Sequence, residues 1–146
     1  VPADARVLLT YGGGSMHRNG VHAQVTAALG ARLIAEIGGI RPNPAFEQLM
    51  PQVAQIRRDQ PTFLLAVGGG SVIDATKFLA AAARFDGDPW TILSQQAPIA
   101  DALPLGAVLT LTVSSFAMRF AVSARCYSRR KRRSPSARTG RVRRPT

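Results

Sequence analysis

Apolar residues in the first part of the chain fall into two kinds of run that alternate. Four runs are short, nearly continuous and rich in Val, Leu and Ile: RVLLTY (6–11), LIAEI (33–37), TFLLAV (62–67) and GAVLTL (106–111). Continuous rather than alternating apolar runs are expected of strands covered on both faces of a parallel sheet. Between them lie helix-period patterns over 17–29, 44–59 and 71–84. Strand and helix in strict alternation predict an α/β fold, a doubly wound, mostly parallel sheet of the Rossmann-like, dinucleotide-binding kind.

The helix starts carry matching chemistry. Asn43 before Pro44 offers an N-cap followed by proline at the first helical position, where a missing N–H costs nothing. Ser71, with Asp74 three residues on, resembles a capping box with a shorter acid than usual. Pro51 falls inside the second helical pattern and predicts a kink there. From Asp86 to Leu105, three prolines and no clear period predict a loop with one short helix that packs Trp90 and Ile92 against the sheet.

Charge divides the chain. Residues 1–118 hold eight basic and eight acidic side chains; residues 119–146 hold the other eleven basic ones and no acid, so the net +11 belongs wholly to that end. Residues 112–146 are Ser, Arg and Pro with few large apolar groups, and such a composition cannot bury enough surface to offset the entropy of ordering. The expectation is therefore a partial dinucleotide-binding domain over 1–111 and a disordered Arg-rich tail over 112–146. Such a tail would bind nucleic acid only non-specifically, through phosphate neutralisation. No apolar run approaches the length that spans a bilayer, and the start lacks a signal-peptide pattern, so no membrane partner and a cytoplasmic location are expected. The single cysteine, Cys126, excludes an internal disulfide framework.

Two glycine runs carry the candidate chemistry. Gly12, Gly13 and Gly14 lead into Ser15 after the first predicted strand, and Gly68, Gly69 and Gly70 lead into Ser71 after the third. Where a parallel strand turns into a helix, the first N–H groups of the helix lack partners and its dipole is positive, which suits a phosphate. Glycine lets the backbone approach the anion without a Cβ in the way. A tight turn that needs small residues for packing accounts for such a run equally well. Two runs at the same sheet edge favour a dinucleotide, and Ser71 could cap the helix or donate to phosphate. Neither run matches G-x-G-x-x-G or the P-loop motif.

Four blocks, VLLTYGGGSMHRNGV, IGGIRPNPAFEQLM, FLLAVGGGSVIDATKFLAAAA and DPWTIL, resemble successive blocks of the iron-type (group III) alcohol dehydrogenases, in the branch of NADPH-dependent aldehyde reductases and butanol dehydrogenases. The resemblance covers roughly Val1 to Leu111, within that family's amino-terminal dinucleotide-binding domain. It implies that Gly68 to Ser71 hold the cofactor pyrophosphate, that Asp74 belongs to the same motif, and that Gly12 to Ser15 lie near the adenosine ribose. The first turn lacks the acid of NAD-preferring relatives, which implies NADPH as cofactor. Arg18 either pairs with the 2′-phosphate or is an exposed arginine without a partner. Asn43 falls in the block RPNP, where it serves the site or only the helix start, and Thr110 matches a further family position. The intact family passes hydride between NADPH and small aldehydes or alcohols and is usually homo-oligomeric.

The resemblance also defines what is missing. The family holds iron or zinc in a carboxy-terminal helical domain through an Asp and three His, and those ligands are absent from this sequence. The only histidines, His17 and His22, are five apart, the wrong spacing for one helix face, and are expected to be solvated. From Thr112 onward the chain departs from the family pattern, as a shifted reading frame would produce, and it starts without methionine inside the family's first domain. The expectation is a fragment truncated at both ends and inactive alone. The alternatives are a non-catalytic nucleotide-binding module and a polyanion binder acting through the tail.

Overall fold

The computed structural model describes residues 1–110. Leu111 and the basic tail, with the disorder expected of it, lie outside the described residues. Strands β1 (Val7–Tyr11), β2 (Leu33–Ile37), β3 (Phe63–Gly68) and β4 (Leu105–Leu109) form one all-parallel sheet in the order β2-β1-β3-β4. Each strand falls on one of the four continuous apolar runs. The run is continuous because both faces are covered. Val7, Leu9 and Val67 join Met16, Val21 and Leu29 on one side, while Leu8, Leu64 and Ala66 join Leu49, Val53, Ile56, Val72 and Leu79 on the other.

The helices follow the expected order with corrected boundaries. The pattern over 17–29 is not one helix but two, α1 (Ser15–Arg18) and α2 (Val21–Leu29). Gly20 between them has φ 74°, a left-handed conformation that costs an L side chain energy and glycine almost none. Asn19 completes the break by accepting the Val21 amide on its side-chain oxygen at 3.2 Å. The dipeptide Asn19-Gly20 is a turn signal in its own right, and it outweighs the helical period around it.

Helix α3 runs over Phe46–Asp59, two residues later than expected, with Ala45 at its N-cap and no side-chain cap. Asn43 is not the cap: it has φ 48° and lies in the β2–α3 loop. Pro51 does not end the helix. Both Pro51 and Glu47, whose carbonyl loses its usual donor, are exposed, so water can satisfy that oxygen while Leu49, Val53 and Ile56 stay buried on the opposite face. Helix α4 spans Gly70–Ala82 with Gly69 at its N-cap. Ser71 lies inside the helix rather than at its cap, and no side chain caps it, so the expected capping box does not form. Asp74 instead pairs with Lys77 at 3.1 Å on the exposed side.

The short helix expected in the 86–105 loop is α5 (Trp90–Ser94). Ile92 packs against the core as expected, but Trp90 does not reach the sheet. It remains 47% exposed and meets Phe46 edge to face, with ring centroids 5.0 Å apart. The proline-rich loop holds α5 against the start of α3 instead.

Candidate functional site

The strand order places both glycine turns together. Chain reversal in the order β2-β1-β3-β4 puts α1 and α2 on one face and α3 and α4 on the other, so the switch of direction falls between β1 and β3. In open α/β sheets a ligand crevice opens at the carboxyl ends of the strands at such a switch. Strands β1 and β3 are direct neighbours, with Tyr11 in register with Val67, so Gly12–Gly14 and Gly68–Gly70 leave the sheet side by side.

Val72 joins the two turns. A Cβ on Gly68 would lie 2.8 Å from its Cγ2, and one on Gly12 would lie 3.3 Å from the same atom. These two glycines are therefore needed for packing the strands on α4. Gly13, Gly69 and Gly70 differ: nothing lies within 4 Å of where their Cβ would be. Their bare backbone faces open space on the exposed carboxyl edge. The turns thus divide the two readings of glycine between them, packing at the strand ends and access at the tips.

The start of α4 has the chemistry of an anion cradle. The amides of Val72 and Ile73 both turn back to the Gly69 carbonyl, at 3.1 and 3.2 Å. The Gly70 and Ser71 amides have no carbonyl one turn back and no side-chain cap. Free amides, a positive helix end and no Cβ over the approach can receive a phosphate. Thr110 stands at the rim, its amide donating to the Gly68 carbonyl at 3.0 Å. At the first turn the guanidinium of Arg18 folds back, so that a Cβ on Gly14 would lie 3.1 Å from Nη1. The backbone of Ser15 opens α1 immediately after the turn. Gly39 donates to the Gly12 carbonyl at 3.1 Å and Ile40 to that of Tyr11 at 3.1 Å, which seats the β2–α3 loop against the first turn. Asn43 lies farther along that loop and is exposed; no hydrogen bond among the described residues joins it to either turn.

A family-model comparison matches residues 2–131 to the iron-containing alcohol dehydrogenases. The chain belongs to the iron-containing alcohol dehydrogenase family. Its similarity to the NADPH-dependent aldehyde reductase YqhD of Escherichia coli is 55% identity over 114 residues, covering 76% of this chain and 30% of the relative. A probable NADH-dependent butanol dehydrogenase of Bacillus subtilis is 48% identical over 115 residues, 77% of this chain and 29% of the relative. Among solved structures, the substrate- and cofactor-free form of the E. coli aldehyde reductase superposes with a TM-score of 0.71 at 55% identity, over 76% of this chain and 30% of that one. The NADH-dependent butanol dehydrogenase A of Thermotoga maritima gives 0.67 at 38% identity, over 74% and 28%. This iron-containing dehydrogenase chain therefore spans about 30% of the length of the curated relatives it matches.

Beside the first turn the structure corrects the reading of the histidines. His22 is not solvated: its Nε2 lies 2.8 Å from Oε2 of Glu36, and both side chains are partly buried. His17 itself is exposed, yet it is not isolated. Because the chain breaks at Gly20, residues five apart come together, and the His17 and His22 rings have centroids 4.4 Å apart. Tyr11 closes the group, 5.4 Å from the His17 ring and 5.5 Å from that of His22. Burial foremost, then the charge and hydrogen-bonding capacity of Glu36, raise the Tyr11 hydroxyl above its ordinary pKa of 10.0. Sequence reading passed over Tyr11 and Glu36, since each sits within an apolar strand and reads as core. No group of three or more His, Cys, Asp and Glu among the described residues could hold a metal ion. No helix among them is long and apolar enough to cross a membrane.

Proposed function

We propose that this chain is the nucleotide-binding portion of an NADPH-dependent aldehyde reductase or alcohol dehydrogenase. The observation that carries the reading is the pair of glycine turns side by side at the β1/β3 switch point, with the Gly70 and Ser71 amides free at the start of α4. The cofactor supplies the hydride exchanged with a small aldehyde or alcohol. Gly68, Gly69, Gly70 and Ser71 hold its pyrophosphate, with Asp74 one turn inward and Thr110 fixing the rim. Gly12, Gly13, Gly14 and Ser15 face the adenosine ribose, and Arg18 offers charge to a 2′-phosphate. Asn43 belongs to the same edge through the loop that follows β2.

The chemistry assigned to this chain is binding and orientation. The described residues do not fit the family's iron or zinc, so no step through a metal is assigned to them. The chain alone binds cofactor without turning over. The similarity to the E. coli NADPH-dependent enzyme supports this nucleotide, while the butanol dehydrogenases named as NADH-dependent make the choice of cofactor a matter for measurement. Titrating the folded chain into NADPH and following cofactor fluorescence tests the reading: saturable binding is expected, and a folded chain that leaves the fluorescence unchanged overturns it.

A second reading rests on the charge distribution, with the whole net excess in residues 119–146. That segment binds nucleic acid without sequence preference and releases it as salt rises. Deleting it should abolish the binding; affinity that survives deletion refutes this reading.

A further inference from the structure

We infer that Glu36, held by His22 beside Tyr11, is the residue that sets this domain's discrimination between a 2′-phosphate and a 2′-hydroxyl on the cofactor ribose. The inference rests on the dinucleotide reading above and deepens it.

A carboxylate near the carboxyl end of the second strand is, in doubly wound dinucleotide domains, the group that accepts the ribose 2′-hydroxyl and repels a 2′-phosphate. Glu36 occupies such a place: it is the penultimate residue of β2, and the chain just after it bonds to Gly12 of the first turn. By position alone the domain would be built for the unphosphorylated cofactor. Its partners reverse that expectation. His22 Nε2 stands 2.8 Å from Oε2, and the Tyr11 phenol lies against the same carboxylate. The Tyr11 ring is fixed in turn, since a Cβ on Gly38 would fall 2.6 Å from it, a contact only glycine permits.

The acceptor capacity of Glu36 is thus committed to the protein. A carboxylate already engaged by donors offers less to a ribose hydroxyl and, when its partner is cationic, presents a smaller field to a phosphate. The groups around it are Tyr11 from β1, His17 and Arg18 from α1, and His22 from α2, so every charged or titratable neighbour other than Glu36 itself is neutral or positive. His17, stacked on His22 and exposed, and Arg18, folded over Gly14, extend that character toward the turn. Removing the imidazole of His22 would return the carboxylate to the ribose.

The test is equilibrium binding of NADPH and of NADH to the full 146-residue chain, with thermal melts alongside. The wild-type chain is expected to prefer NADPH. His22→Leu is expected to lower that preference about ten- to hundredfold, the worth of one charge-assisted hydrogen bond gained or lost. Adding Glu36→Gln in the same chain should restore it, because the released charge is then gone. His22→Asn, shorter and still polar, releases Glu36 in the same way and serves where the leucine variant does not fold. An unchanged preference in the folded His22 variant, or a double variant no better than the single one, overturns the inference and leaves His22 a structural residue. A folded wild-type chain that binds neither cofactor overturns the dinucleotide reading itself, and this inference with it.

Discussion

The hydroxyls of Thr10 and Thr76 lie 2.7 Å apart, fully buried, and tie the centre of the sheet to α4 beneath the two glycine turns. Each has a further partner: Thr10 Oγ1 donates toward the Leu65 carbonyl at 3.3 Å and Thr76 Oγ1 toward that of Val72 at 2.7 Å. One hydroxyl proton each cannot serve every contact at once, so one threonine donates to the other while its partner donates to a carbonyl. The pair fixes how β1 and α4 sit against each other.

Thr76→Val keeps the shape and removes that link. Thr10 is then left with one long contact in a dry site, and the chain should lose about 1–3 kcal/mol of stability. Adding Thr10→Val should recover part of the loss, since an apolar pair leaves nothing unsatisfied. Urea unfolding of the three chains measures both effects; a double variant that loses the sum of the single losses would contradict the coupling.

Gly68 and Gly69 should respond differently to the same added methyl. At Gly68 the new Cβ meets Val72 at 2.8 Å, so Gly68→Ala should cost about 1–3 kcal/mol as α4 is pushed off the strands. Gly69 has φ −86° and open space around it, so Gly69→Ala should leave stability within about 0.5 kcal/mol. Its methyl stands over the free amides, and NADPH affinity should fall on the order of tenfold. Equal destabilisation by the two substitutions would show that the turn tips also serve packing.

The Tyr11 phenol gives stability a dependence on high pH. Its pKa is raised in the folded chain above the ordinary 10.0, first by burial and then by Glu36. Below that value both folded and unfolded chains keep the proton and the term is constant. As pH rises past it, the unfolded chain ionises first, and stability falls until the folded phenol also titrates. The stability of wild type relative to Tyr11→Phe should therefore be flat up to about pH 10 and decline above it. A difference that stays flat at higher pH would contradict the burial of this hydroxyl.

Trp90 is the only tryptophan, so its emission reports on the contact between α5 and α3. Phe46 stands between Trp90 and Phe78, with centroids 5.0 and 6.0 Å away. Phe46→Leu should shift the emission to longer wavelength and cost about 0.5–1.5 kcal/mol beyond the area lost. An unaltered spectrum would place Trp90 free of that ring.

The sequence alone determined the parts that depend on local composition. Continuous apolar runs become the four strands because a sheet covered on both faces has no polar side to alternate, and glycines end β3 and follow β1 because the chain turns there into a helix. The resemblance of four blocks was enough to name the family. Tertiary structure decided what depends on residues distant in the chain. The pairing of β1 with β3 is a contact across more than fifty residues, and it alone brings the two glycine turns together. It also assigns roles that no run of three glycines can distinguish, with Gly12 and Gly68 pressed on Val72 and Gly13, Gly69 and Gly70 facing open space. Helix starts shifted at Asn43 and Ser71 because a cap needs its oxygen aimed at an amide, which a residue type does not specify. His17 and His22 belong together only because Gly20 breaks the helix between them, and Glu36 becomes more than an acid in an apolar strand only when β2 folds beside them. Periodicity places residues along an element; the chemistry of this edge depends on which elements meet.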